Sequence, residues 1–258
     1  MSKRLVNKIN TKDSNSININ SNDIIKKIHE GYEAQSKIKD GVRVRKGFTA
    51  SGLTYGAGHC PRMWYLWFEG NEAKSNNDWY SVANMDSGND RHTRIQEAMD
   101  TAGILITKEA ILKNEDPVIS MRTDAIIKWE DQEILTEIKT MSEDSFQRAY
   151  KPRRYHIEQL LIYMRVMRKT FAYLIYESKN SHEMKFFDIH INQKYKDFTN
   201  YLWDWMKKVQ KAFDDQTLPE NPYRNKYNSK VCKSCDFFEA CQTKPEGVIK
   251  IEARKELE

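Results

Sequence analysis

No run of 18 apolar residues occurs in the 258-residue chain, so no bilayer-spanning helix is expected. The opening stretch, MSKRLVNKINTKDSNSININ, lacks the apolar middle of a secretory leader. It is rich in Asn, Ser and Lys and reads as a disordered polar tail over residues 1–20. A cytoplasmic protein with no membrane partner is the expectation. There is no internal repeat. Charge of one sign is also short: the net charge is +5, the pI about 8.8, and the 31% of charged residues are mixed in sign. That balance is compatible with a polyanionic partner without establishing one. Basic clusters at 43–49, 150–156 and 164–169, taken singly, are ordinary solvated faces. Apolar residues make up 39% and mean hydropathy is −0.79. Six Trp, thirteen Tyr and ten Phe can nevertheless fill the core of one large domain.

The pattern predicts a helix over 23–37. Ser51 is a candidate cap for a short helical segment leading to CPRMWYLWFEG (60–70), where Pro61 suits a first helical position. A long helix from about 79 to 102 stops at Gly103. Strands follow at about 104–112, 117–129 and 133–139, then a helix through 152–169. Two more strands at about 170–177 and 184–191 precede a helix over 194–214, with Phe198, Leu202, Trp205, Met206, Val209 and Phe213 at helical spacing. This order argues for an α/β or α+β domain around a mixed central sheet flanked by helices. The expected layout is a tail over 1–20, a single domain over 21–245 and a charged tail over 246–258.

The stretch RTDAIIKWEDQEILTEIKT (122–140) reads as a hairpin turning at Glu130 and Asp131. Paired residue numbers then sum to 261, which sets Asp124 opposite Glu137 with Cβ atoms roughly 5 Å apart. Lys139 shares their face. The other face carries Thr123, Ala125, Ile127, Ile134, Thr136 and Ile138, which suit burial. Two carboxylates this close repel each other, and a divalent cation between hard oxygen ligands removes the repulsion. The competing reading is a polar outer face on which Lys139 neutralises Glu137. His92 lies on the long helix, four residues after Gly88. Gln159 and Tyr163 lie four apart on the 152–169 helix, with His156 on the same side, away from the Ile157, Leu160, Leu161, Met164 core stripe.

Cys60 precedes these groups, and Cys232, Cys235 and Cys241 follow them in a C-x2-C-x5-C spacing. In a reducing compartment such thiols hold metal rather than form disulfides. Four sulfur ligands allow Zn²⁺ or an iron–sulfur cluster.

In the order Gly88/His92, Asp124, Glu137/Lys139, Gln159/Tyr163, the chain resembles the RecB-family branch of the PD-(D/E)XK nucleases over roughly residues 48–242. One departure is Met121, where the family often has Gly. The resemblance implies a restriction-endonuclease-like core and a metal-dependent DNA exonuclease acting on ends or single strands in repair or recombination. It implies Mg²⁺ or Mn²⁺ held by His92, Asp124, Glu137 and the carbonyl of Ile138. Lys139 would act on the attacking water or the developing charge, Gln159 and Tyr163 would position the strand, and Arg122, Arg153 and Arg154 would contact phosphates. The cysteine arrangement is similar to the iron–sulfur nucleases of this family, the CRISPR-associated exonucleases and AddB-type nuclease domains among them. It implies a 4Fe–4S cluster joining the N- and C-terminal segments. The alternative reading is a non-catalytic or zinc-stabilised DNA-binding subunit.

Overall fold

The computed structural model describes residues 21–37, 41–42, 44–75, 77–223 and 229–258. The tail expected over 1–20, and Arg43 of the first basic cluster, lie outside them. Among the described residues no helix is long and apolar enough to cross a membrane.

Helix α1 (Ser21–Lys37) leads to a small ribbon of β1 (Gly41–Val42) and β2 (Glu72–Ala73). Between them lie α2 (Ala50–Thr54), a 3₁₀ turn (Gly56–His59) and α3 (Pro61–Glu69). Thr49, not Ser51, caps α2: its hydroxyl accepts from the Gly52 N–H at 3.2 Å. Its neighbour Phe48 bridges to the strand at Ile119, which decides where the helix begins. Pro61 opens α3, and Gly70 closes it in the left-handed region at φ 81°. Asp78 caps α4 (Trp79–Thr101) by accepting from the Ser81 N–H at 2.8 Å.

Two expected strands are each divided. The first becomes β3 (Leu105–Lys108) and β4 (Ile111–Glu115), with Glu109 turning between them at φ 50°. The second becomes β5 (Val118–Arg122) and β6 (Ala125–Trp129). β4 and β5 pair in a ribbon of their own. β6 joins β7 (Gln132–Met141) in the main sheet, followed by α5 (Glu143–Gln147), α6 (Arg154–Met167), β8 (Phe171–Ser178), β9 (Met184–His190) and α7 (Gln193–Asp214). The five-stranded sheet runs β3-β6-β7-β8-β9, antiparallel except for the central β7/β8 pair. Parallel neighbours need a crossover, which α5 and α6 supply.

Helix α4 covers one face, burying Ile95 and Met99 against Ala125, Ile127, Ile134, Ile138 and Ile175. On the other face Leu160, Leu161 and Met164 of α6 pack with Leu135, Leu174 and Tyr176, backed by Leu202 and Met206 of α7. The sheet is therefore buried on both sides, so every polar side chain pointing from its centre needs a reason.

The segment over 246–258, expected as a charged tail, packs onto the body. After α8 (Lys230–Lys233) and α9 (Phe238–Thr243), Ile251, Arg254 and Leu257 are buried. Arg254 donates to Glu158 of α6 at 2.8 Å, and the Leu257 N–H donates to the same carboxylate at 2.6 Å. Arg254 also lies 2.7 Å from His59 Nε2. Both charges are withdrawn from water, so deleting one strands the other. Arg254→Ala is expected to cost about 3–5 kcal/mol, read from chemical unfolding, whereas Lys255→Ala beside it should be near neutral. Equal stability of the two variants would show that the C-terminal segment does not hold α6.

Candidate active site

The paired carboxylates stand where the hairpin arithmetic puts them. Ala125 faces Thr136 and Ile127 faces Ile134; Asp124 lies in the bend just before β6, in line with Glu137. The bend is held on two sides. The Asp124 carbonyl accepts from the Glu109 N–H at 3.1 Å and from Gln96 Nε2 at 2.8 Å. Its side chain reaches across the hairpin, and Oδ2 accepts from the Ile138 N–H at 2.8 Å. The other oxygen lies 3.5 Å from His92 Nδ1 on α4. The helix passes β7 at Gly88, where an added Cβ would meet Thr140 Oγ1 at 4.0 Å.

Glu137 is 1% exposed and has an asymmetric environment. Its Oε1 accepts from Lys139 Nζ and Gln159 Nε2, both at 2.7 Å, and Gln159 lies 3.0 Å from the Tyr163 hydroxyl. Its Oε2 is buried with no hydrogen-bond partner. Burial, then the charge of Asp124, pushes the Glu137 carboxyl up to about 7. Burial pushes Asp124 up too, but the His92 hydrogen bond and the Lys139 charge outweigh it and hold this carboxyl below its usual range. Burial would lower Lys139 and His92. The charges of Glu137 and Asp124 raise Lys139 nonetheless, and the hydrogen bond and charge of Asp124 raise His92.

These groups line an open cleft of about 570 Å³. Arg122 is at its edge, paired with Glu109 at 2.7 Å. Met121, where the resembled family often has Gly, lines the cleft from a buried position. Arg153 and Arg154 are not part of this lining. Arg153 donates to the Tyr155 hydroxyl at 2.8 Å, and Arg154 pairs with Glu256. His156 is turned inward with Nδ1 2.7 Å from the Tyr176 hydroxyl, and burial pushes it down to about 2. Thr49, Ser51, Asn89 and Glu109 are lining residues that sequence reasoning missed. Asn89 was within reach, since it lies one turn before His92 on the same helix; Glu109 sits in an irregular turn with no sequence signal.

The four cysteines come together elsewhere. Cys60 precedes α3, Cys232 and Cys235 flank the end of α8, and Cys241 is on α9; all four line one small cavity with Met63, Leu66 and Phe238. The space, about 20 Å³, suits a compact inorganic group rather than an organic one. Burial pushes Cys60 up to about 12 and raises Cys232 and Cys235, with neighbouring cysteines adding to each shift. Burial therefore keeps these thiols protonated unless a cation is bound.

Among the described residues no three His, Cys, Asp or Glu side chains stand tightly enough to chelate one ion as they are. This holds for the cysteine cavity as well as for the cleft. The orphaned Glu137 Oε2 beside Asp124 fits a hard cation.

No protein-family model matches this chain, and no curated protein matches it. Among solved structures, the crystal structure of SSO0001 is 16% identical, with a TM-score of 0.47, covering 88% of this chain and 98% of its own. An alkaline exonuclease, LHK-Exo from Laribacter hongkongensis, is 14% identical, with a TM-score of 0.44, covering 72% of this chain and 91% of its own. These likenesses are distant.

Proposed function

We propose that this protein is a metal-dependent deoxyribonuclease that hydrolyses phosphodiesters at DNA ends or in single strands. The observation that carries it is the Glu137 carboxylate: buried in the sheet, paired on one oxygen, orphaned on the other, and set beside Asp124 at the floor of an open cleft. Glu177 on β8 also has a buried oxygen without a hydrogen bond, but it is paired with Arg94 and does not line the cleft, whereas Glu137 lines it together with Asp124. Asp124, Glu137, His92 and the carbonyl of Ile138 would hold one or two Mg²⁺ or Mn²⁺ ions. When bound, such an ion polarises the scissile phosphate and acidifies water.

The remaining work falls to the chain. Lys139 places a fixed positive charge where the phosphorane oxygens gain negative charge, and Glu137 keeps that ammonium in place at 2.7 Å. Gln159 fixes one Glu137 oxygen, and the other has no hydrogen-bond partner. Tyr163 fixes the Gln159 amide in turn. Arg122, tethered by Glu109 at the rim, is available to a phosphate. The preference for DNA and for free ends is what the resemblance carried by these motifs implies.

The four cysteines are assigned to a 4Fe–4S cluster of structural role, with Zn²⁺ as the alternative.

The test is cleavage of end-labelled DNA by anaerobically purified protein with Mn²⁺ or Mg²⁺. A linear single strand should be degraded and a closed circular one much more slowly; equal rates would make this an endonuclease, and no cleavage of any DNA would remove the reading. Mn²⁺ must displace the proton that Glu137 carries below about pH 7. Mn²⁺ affinity should therefore be flat above that pH and fall roughly tenfold per unit below it, measured by titration calorimetry.

A further inference from the structure

A second concave surface lies beside the cleft, and nothing so far gives it a role. It is an open groove of about 530 Å³ at the α5–α6 junction, lined by Arg148, Lys151, Arg153, Arg154 and Tyr155 with no acidic residue in the lining. Arg154 is engaged by Glu256. Among the described residues no carboxylate pairs with Arg148, Lys151 or Arg153, although the chain has nearly as many acids as bases. Unpaired cations collected in a concavity raise the local potential well above what the modest net charge provides.

Tyr155 lines the groove, and Tyr150 follows the lining residue Ala149 and precedes the lining residue Lys151 without being part of the lining. Tyr150 is 86% exposed, an unusual state for a large ring in a well-packed protein. Lys185 stands 5.8 Å from its ring. Tyr155 lies 5.0 Å from Tyr55, which is 43% exposed. Tyr55 links the groove to the cleft, because its ring contacts Tyr155 of the groove and it lies within electrostatic range of Lys139 and Glu137 of the cleft.

Resting on the nuclease reading, we propose that this groove is a binding track for single-stranded DNA, holding the part of the substrate next to the scissile phosphate. Arg148 and Lys151 neutralise backbone phosphates, and Tyr150 stacks an unpaired base. A duplex does not satisfy the arrangement, since its bases are already stacked and offer no face to Tyr150. The track adds affinity only for strands long enough to leave the cleft, so it makes binding depend on length.

The experiment uses fluorescein-labelled oligothymidylates of 4 and 20 nucleotides with full-length protein in EDTA, where no cleavage occurs, and measures anisotropy across a salt series. Wild type should bind the 20-mer at least about tenfold more tightly than the 4-mer. Arg148→Ala combined with Lys151→Ala should remove most of that advantage and reduce the salt slope by about 1.4, two phosphate contacts at about 0.7 each. Tyr150→Ala should weaken the 20-mer about tenfold with an unchanged salt slope, and should not affect a blunt 20-base-pair duplex. All three residues are exposed, so the melting temperature should not move. Hydrolysis of bis(p-nitrophenyl) phosphate in Mn²⁺, which needs only the cleft, should match wild type.

A double variant with the wild-type length dependence and salt slope would overturn the track, as would a Tyr150→Ala effect equal on duplex and single strand. The two readings fail separately. A wild type that cuts DNA while its variants bind normally removes the track alone. Normal groove behaviour in a protein that cuts no substrate removes the nuclease alone.

Discussion

Asp124→Ala and Glu137→Ala are each expected to lower DNA cleavage on the order of 10³-fold or more, the loss of several kcal/mol of transition-state stabilisation. Single-strand affinity should stay within a few-fold of wild type or improve, because the variant removes a negative charge from a cleft that must admit phosphate. Mn²⁺ binding should be lost with either carboxylate. Lys139→Ala should be comparably inactive yet retain the ion, since an ammonium is not a ligand. The comparison separates the holding of the ion from the stabilisation of charge. Glu137 Oε1 keeps its bond from Gln159 in that variant, so the carboxylate stays in place. End-labelled single strands for cleavage and calorimetry for Mn²⁺ provide the readout. Wild-type cleavage by either alanine variant would end the proposed mechanism.

The second large effect concerns the cysteine cavity. Protein purified without oxygen should be brown and contain about four iron and four sulfide per chain. Cys60→Ala and Cys232→Ala should each bleach the colour and lower the melting temperature by about 10–20 °C, for a loss of ~5 kcal/mol at roughly 2–4 °C per kcal/mol. Cys60 stands at the entry to α3, which packs on α7, whereas Cys232, Cys235 and Cys241 are near the other end of the chain. A shared centre closes a loop that contains the whole sheet. Activity should fall in these variants through loss of fold, and metal binding at Glu137 should fall with it. A colourless protein with one zinc would move the assignment to zinc. Metal-free protein with stable cysteine variants would leave the cavity as ordinary packing.

The hairpin was legible because its constraint is local: a two-residue turn sets the register, and alternation sets the face. Gln159 and Tyr163 were legible for the same reason, as a stripe of helical period. The division of 104–112 and 117–129 into separate strands was not. Apolar alternation continues through Glu109 and Thr123, and only tertiary pairing sends β4 and β5 into a ribbon apart from the main sheet. Arg153 and Arg154 are expected from the sequence at phosphates; α6 starts at Arg154, and both residues line a groove other than the cleft. Thr49 and Ser51 offered the same hydroxyl chemistry, and the choice was made by the bridge from Phe48 to Ile119. The docking of 246–258 rests on the Glu158–Arg254 contact, which no local pattern records. In retrospect Ile251, Arg254 and Leu257 recur every third residue, a spacing that looks like surface charge unless the partner is known.

That contact also orders events in time. Glu158 and Arg254 are 96 residues apart, and a ribosome adding about 5–20 residues per second produces the second some 5–20 s after the first. Until then α6 carries a carboxylate meant for the interior with no arginine to meet it. The cysteine trio emerges in the same late interval. The acidic hairpin and α6 are therefore made well before the segment whose Arg254 meets His59 and Glu158.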